Sequence, residues 1–191
     1  MSADGSFTVA FNISIWGVAS AGRNIGGISR VVIVILGISH CKTLNSISET
    51  VFELGNEAGA GSAMKAVNQL LAGVHISVMA EALTFGISQG ITPAKFIEVI
   101  SKCAGTSWML ENRAPHIVDG DYTPHSSVNI WPKDLGIVLD VAKDAKFDAP
   151  IASAALKQFK TAVDMGLGLE DDAAVAKVYA KSANLSLPKK L

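Results

Sequence analysis

The chain is short of the residues that mark several common classes of protein. Its 2 cysteines, Cys41 and Cys103, lie far apart and at no metal-ligand spacing. That argues against a disulfide-stapled secreted scaffold and against zinc, and it suits a reducing compartment. Basic residues are not in excess: 16 Lys plus Arg face 17 Asp plus Glu, for a net charge of -1. The cationic field that dominates nucleic-acid affinity is therefore missing, and no nucleic-acid partner is expected. A clean bilayer-length apolar run is also missing, because Arg23, Asn24 and Arg30 interrupt the stretch from Phe7 to Leu36. The longest clean part of that stretch, Val31 to Leu36, has the length of a strand rather than the roughly 20 residues a membrane needs. Met1 to Gly5 lacks the basic start of a secretory signal, and Lys189-Lys190-Leu191 lacks the small first residue of a peroxisomal address. No membrane association is expected, and the location read from these features is intracellular and cytoplasmic. His40, His75, His116 and His125 form no pair at ligand spacing, so no metal site is expected either.

What the chain does have is apolar surface. With 49% hydrophobic and 17% charged residues among 191, and a mean hydropathy of +0.36, it can bury enough to offset the entropy of ordering. The length suits one ordinary domain, or a small domain with a fragment attached.

Composition changes character near Gly55. Before it, short strands are expected around a turn region rich in glycine and serine, with the β-branched run Val31-Val32-Ile33-Val34-Ile35 as a buried strand. Ser39 to Leu54 reads as a short helix followed by a strand over Thr50 to Leu54. Beyond Gly55 the periodicity is helical. Val67, Leu70, Leu71, Val74, Val78, Ala82 and Leu83 recur at spacings of three and four, which predicts one long helix from about Gly61 to Gln89, closed by Gly90. Thr92-Pro93 caps and opens a second helix, to about Cys103, and a third covers Ser107 to Val118. Pro132 and Pro150 open two more, to about Lys146 and Met165, and Asp171 begins the last, through Lys181. The expected fold is mainly α: a helical bundle (58–191) led by one long helix and preceded by a short α/β remnant (1–57). Trp108 and Trp131 are expected to pack the bundle, and Glu170-Asp171-Asp172 reads as an acidic first turn favoured by the helix dipole.

The residues richest in chemical potential lie at the start of the long helix. Gly59 and Gly61 permit close approach of a backbone or ligand, and Lys65, Asn68 and Gln69 follow at i, i+3 and i+4 on one helical face. A lysine beside a carboxamide can polarise a substrate oxygen, the amine exchanging a proton while the amide holds the geometry. The same spacing also describes an ordinary surface stripe. Lys133, in Trp131-Pro132-Lys133-Asp134-Leu135, stands in a first helical turn where the macrodipole disfavours a cation. It needs Asp134 or an anionic ligand as compensation, unless it is simply a solvated lysine.

Taken in order and spacing, several motifs resemble the C-terminal half of the β-hydroxyacid dehydrogenases, the family of 3-hydroxyisobutyrate dehydrogenase, tartronate semialdehyde reductase and L-threonate dehydrogenase. They are Gly59-x-Gly61-x-x-x-Lys65-x-x-Asn68-Gln69, Glu81-Ala82-Leu83, Ser107-Trp108, Asn112-Arg113-x-Pro115, Asp121-Tyr122-x-Pro124, Lys133-Asp134-Leu135 and Pro150. The resemblance covers about Val51 to Ser186. It implies a helical domain like the C-terminal domain of 6-phosphogluconate dehydrogenase, with Lys65 as the catalytic lysine. It further implies that Asn68 and Gln69 contact the substrate and that Lys133 reaches a cofactor, NAD or NADP. The implied reaction is hydride transfer between that cofactor and a small 3-hydroxy acid. Without a full dinucleotide-binding domain the apolar side of the long helix is expected to be exposed, which predicts a homo-oligomer, a homodimer or larger. The N-terminal part departs from the family, because Gly22-Arg23-Asn24-Ile25-Gly26-Gly27 does not supply G-x-G-x-x-G after a strand. Trp16 to Gly22 lies in register with the family's D-A-P-V-S-G-G, matching at Ser20 and Gly22, so the resemblance assigns Ser20 to the substrate carboxylate. Weak cofactor binding follows for this chain. A catalytically inactive helical dimerisation module of the same descent is the alternative reading.

Overall fold

The computed structural model describes residues 14–18, 30–35, 50–54 and 59–190. The chain divides into two compact units, Met1–Lys65 and Ala66–Leu191. In the first unit three strands form one sheet in the order β1 (Ser14–Val18), β2 (Arg30–Ile35), β3 (Thr50–Glu53). β1 runs antiparallel to β2 with Trp16 opposite Val32, and β3 runs parallel to β2 with Thr50 opposite the same valine. The β-branched run thus takes the central strand, where a two-sided ladder suits stiff side chains. Ser20, Cys41, the segment from Gly22 to Gly27 and the expected helix after Ser39 lie outside the described residues.

Among the described residues six α-helices follow. α1 (Ala60–Ser88) is 29 residues long, about 43 Å at 1.5 Å per residue. It starts after Gly59, at φ +96°, and ends against Gly90, at φ +80°, where the amide of Ile91 donates to the Gly86 carbonyl. α2 (Pro93–Ile100) and α3 (Trp108–Asp119) are capped by Thr92 and Ser107, whose hydroxyls accept from the amides of Lys95 and Leu110. α3 stops at Gly120 in the left-handed region. α4 (Ile130–Asp144) begins two residues ahead of the proline expected to open it, and α5 (Pro150–Asp164) begins at its proline. The last segment is divided: a 3-10 turn (Asp172–Val175) leads into α6 (Ala176–Ser182).

α1 is apolar on two faces. Ala72, Ile76, Met79, Ala80 and Leu83 are buried in the bundle core with Ile117, Leu135, Phe159 and Val175, while Leu71, Val78 and Phe85 stay exposed on the other side. By length and composition α1 could cross a membrane, but half of its most apolar window is buried inside the structure, as in a core helix. Trp131 stacks on Phe159 at 5.6 Å between ring centroids. Trp108, by contrast, is 44% exposed, which corrects the expectation that it packs the bundle. Gly73 allows α4 to lie directly on α1, since a Cβ there would sit 2.9 Å from the Trp131 ring.

Asp171 and Asp172 stand at a helix start as expected, Asp171 as the N-cap of the 3-10 turn and Asp172 in its first turn. Both are fully buried. The Asp172 carboxylate accepts from Arg113 Nε at 2.7 Å and from Trp131 Nε1 at 3.0 Å. That of Asp171 meets His116 Nδ1 at 2.9 Å and accepts from the amides of His125 and Ala173, each at 3.0 Å. The two aspartates also knit the loops that carry them: the amide of Asp171 donates to the Tyr122 carbonyl and that of Asp172 to the Ser126 carbonyl. Every one of these bonds answers a requirement of burial, because an unpaired charge here would be strongly destabilising.

Burial pushes the Asp171 carboxyl up, but the bonds from His116, His125 and Ala173 outweigh it and hold the group below its usual range. Burial dominates at Asp172 and raises it, the Arg113 charge offsetting only part. A carboxyl lowered by folding stabilises the native state above its unfolded value of 3.8, and that contribution fades as pH falls through the folded value. Asp172 acts with the opposite sign. We expect Asp171→Asn to lose about 2 kcal/mol at pH 7, the worth of hydrogen bonds to a charged acceptor. Urea unfolding at pH 7 and pH 3 checks this: the gap from wild type should narrow at the lower pH, and an unchanged gap would refute the linkage.

Candidate functional site

The amino-terminal third of α1 carries Lys65, Asn68 and Gln69 three and four residues apart, as one face of a helix requires. Within the helical unit, the Asn68 and Gln69 side chains join α4 through a chain of polar contacts. Asn68 Nδ2 donates to Gln69 Oε1 at 3.2 Å, and Gln69 Nε2 donates to Asp134 Oδ2 at 2.6 Å. The other oxygen of that carboxylate meets Lys133 Nζ at 3.3 Å. Asp134 is therefore shared between the Gln69 carboxamide of α1 and the lysine of α4.

Local structure explains why these groups meet. Trp131, 4% exposed, anchors the first turn of α4 in the core, and Leu135 beside it is fully buried. Lys133 and Asp134, between them, face away from the deepest packing: Lys133 is 71% exposed and Asp134 16%. The helix begins at Ile130, so neither Lys133 nor Asp134 stands at its very start, and the ammonium of Lys133 is answered by the neighbouring Asp134 carboxylate rather than by the helix field. Below this polar layer Ala66 and Leu70 of α1 pack on Val138, Ala149 and Ala152.

Chemically, the arrangement leaves Asn68 a carbonyl oxygen and one N–H beyond its bond to Gln69, with the amide plane fixed by that bond. Lys133 supplies an exposed ammonium on the same cluster. The sequence reading saw Asp134 only as a local neutraliser of Lys133; its bond to Gln69, 65 residues away, was beyond any spacing argument. His116 and His125, set aside as unpaired in sequence, stand edge to face with 5.1 Å between ring centroids. No group of three His, Cys, Asp or Glu side chains able to hold a metal occurs among the described residues.

If Asp134 holds Gln69 in place, Gln69→Ala and Asp134→Ala should each lower stability by about 1.5 kcal/mol, the worth of a bond to a charged acceptor. The double variant should lose clearly less than the sum of the two. Urea titrations of the four proteins measure that coupling, and strict additivity would separate the two residues.

Comparison with known proteins is consistent with this geometry. Residues 59–179 match the family described as NAD-binding of NADP-dependent 3-hydroxyisobutyrate dehydrogenase. The chain is 51% identical over 136 residues to an L-threonate dehydrogenase of Cupriavidus necator, covering 71% of this chain and 46% of that one. It is 34% identical over 145 residues to a 2-(hydroxymethyl)glutarate dehydrogenase of Eubacterium barkeri, covering 75% and 48%. A crystal structure of 3-hydroxyisobutyrate dehydrogenase from Salmonella typhimurium superposes with a TM-score of 0.77 at 37% identity, over 88% of this chain and 59% of that one. The chain spans about half the length of the curated relatives it matches. A match over most of the helical unit, through the segments that carry Lys65, Asn68, Gln69 and Lys133, makes this chain a member of the NAD-binding domain family of NADP-dependent 3-hydroxyisobutyrate dehydrogenases.

Proposed function

We propose that the chain is the substrate-side domain of an NAD(P)-dependent dehydrogenase acting on a small 3-hydroxy acid. The observation that carries the reading is the contact chain Asn68, Gln69, Asp134, Lys133 in a member of this family. The relatives' names, L-threonate, 2-(hydroxymethyl)glutarate and 3-hydroxyisobutyrate dehydrogenases, support a hydroxy acid as substrate.

The donor set suits the nicotinamide end of a dinucleotide, since the Lys133 ammonium and the Asn68 amide can both donate to carboxamide or phosphate oxygens. The pyrophosphate needs a strand, a G-x-G-x-x-G turn and a helix N-terminus. No such unit occurs among the described residues, so binding by this chain alone is weak. When bound, NAD(P) supplies the hydride acceptor in oxidation and the hydride donor in reduction. Lys65 takes the hydroxyl proton as a neutral amine in oxidation and returns it as an ammonium in reduction. Asn68 orients the reacting hydroxyl, and Gln69, braced by Asp134, keeps the Asn68 amide from rotating. Ser20, outside the described residues, binds the substrate carboxylate. Nicotinamide chemistry of this kind supports a location inside the cell. We extend the reading to a homo-oligomer, because Leu71, Val78 and Phe85 recur at seven-residue intervals along the exposed side of α1, the seam a second copy of the helix would fill.

Two measurements test this. In a chimera joining residues 58–191 to the dinucleotide-binding half of the Cupriavidus necator L-threonate dehydrogenase, Lys65→Met should lower kcat by about 10²- to 10⁴-fold, the range for a lost general acid-base. Asn68→Ala should chiefly raise KM. Near-full turnover by the lysine variant would remove Lys65 from the chemistry. For assembly, sedimentation of the full chain at micromolar concentration should give a dimer or larger species that Leu71→Glu/Val78→Glu dissociates; a monomer would sink that part of the reading.

A further inference from the structure

A groove of about 440 Å³ lies between the end of α3, α6 and the segment that follows α6. Its composition is two-sided. The floor is apolar, built by Ala180, Leu185, Leu187 and Pro188, and the rim carries Lys177, Lys181, Lys189 and Lys190. Two of these lysines have carboxylate partners: Lys177 contacts Glu170, and Lys190 Nζ meets Asp121 Oδ2 at 2.7 Å. Lys181 and Lys189 form no ion pair among the described residues. The rim therefore carries excess positive charge over a surface that repels water.

Tyr122 supplies an independent observation. Its side chain lines the groove, and its hydroxyl oxygen is buried without a hydrogen-bond partner, the one such side-chain atom among the described residues. Buried hydroxyls are nearly always paired, because an unmade bond is destabilising. Lys177 Nζ lies 4.0 Å from the centre of the Tyr122 ring, over its face, so the positive end of the site continues to the tyrosine. Burial, with Glu170 and Asp171 nearby, pushes the phenol up to about 12. It keeps its proton at neutral pH and so has an O–H to donate, which an anionic acceptor would answer.

The groove is also firmly built. At Gly120, φ +62°, a Cβ would lie 2.5 Å from the backbone of Lys189 and Lys190. Only glycine lets the two segments approach so closely, so the wall bearing the unpaired Lys189 is seated on the cap of α3. Leu187, next to it, packs against the bundle core.

We propose that this groove binds a small amphiphilic carboxylate, its chain on the apolar floor and its head between Lys181, Lys189 and the Tyr122 hydroxyl. The site is separate from the contact chain around Asp134 and does not depend on the dehydrogenase reading. An inorganic anion would leave the floor unused, and a neutral apolar molecule would leave the lysines and the hydroxyl unanswered.

Octanoate is the probe, added to the full 191-residue chain and followed by two-dimensional amide NMR and calorimetry. One site is expected, with shifts concentrated at residues 120–122 and 177–190. Lys181→Gln/Lys189→Gln should weaken binding by about three- to tenfold, as expected for exposed charges. Lys157→Gln/Lys160→Gln, on the exposed side of α5, should leave it unchanged. Tyr122→Phe should weaken it by about tenfold, the worth of a bond to a charged acceptor, yet melt no lower than wild type, because in the free protein it removes only an unsatisfied group. Octanol at equal concentration should bind more weakly than octanoate. The proposal is overturned if the shifts fall outside these residues, if the two lysine pairs behave alike, if octanol matches octanoate, or if Tyr122→Phe destabilises the free protein.

Discussion

Two adjacent carboxylates with no access to water set the terms for the helical unit. Asp171 and Asp172 are taken out of solvent completely, and the structure around them is arranged to make that tolerable. Arg113 and His116 of α3 face them from one side, Trp131 of α4 from another, and backbone amides close the remainder. Three segments distant in sequence are thereby fixed to one point. Apolar packing supplies most of the driving force for folding, but it tolerates sliding and repacking. A buried charge with directional partners tolerates neither, so it specifies which arrangement of helices forms.

That specification reaches the candidate site through Trp131. The indole N–H is held by Asp172 and the ring by Phe159, which leaves the first turn of α4 little freedom to rotate. Asp134 sits three residues on, so its carboxylate meets Gln69 at a bonding distance without depending on flexible side chains to find each other. The polar cluster is preorganised by a core that contains none of its members.

Legibility in the sequence followed the range of the interactions. The helices α1 and α2 were readable because their signals are local: apolar recurrence at three and four, Thr92 as a cap and Gly90 as a stop; for α3 the extent was read, while Ser107 as its cap and Gly120 as its stop came from the structure. The central strand was readable from Val31 to Ile35 for the same reason, whereas its pairing order was not. Asp171 and Asp172 were legible as acidic residues at a helix start, but their burial was not, because the partner of Asp172, Arg113, lies 59 residues away. The same distance problem hid the link from Gln69 to Asp134 while leaving the neighbours Lys133 and Asp134 visible. The face shared by Lys65, Asn68 and Gln69 followed from helical spacing alone; the roles proposed for those residues rest on the family.

Gly73 shapes the cluster by what it leaves out. It lies one helical turn beyond Gln69, and the space a side chain would fill is taken by the Trp131 ring and Leu135. The missing methyl works as the gauge of the cluster: it sets the gap across which a short amide on one helix must reach a short carboxylate on the other. Widening that gap by even the radius of a carbon atom would leave every polar residue present and correctly numbered, yet out of reach of its neighbour. The calibre of the site is thus set by an absence, at a position that touches none of its chemistry.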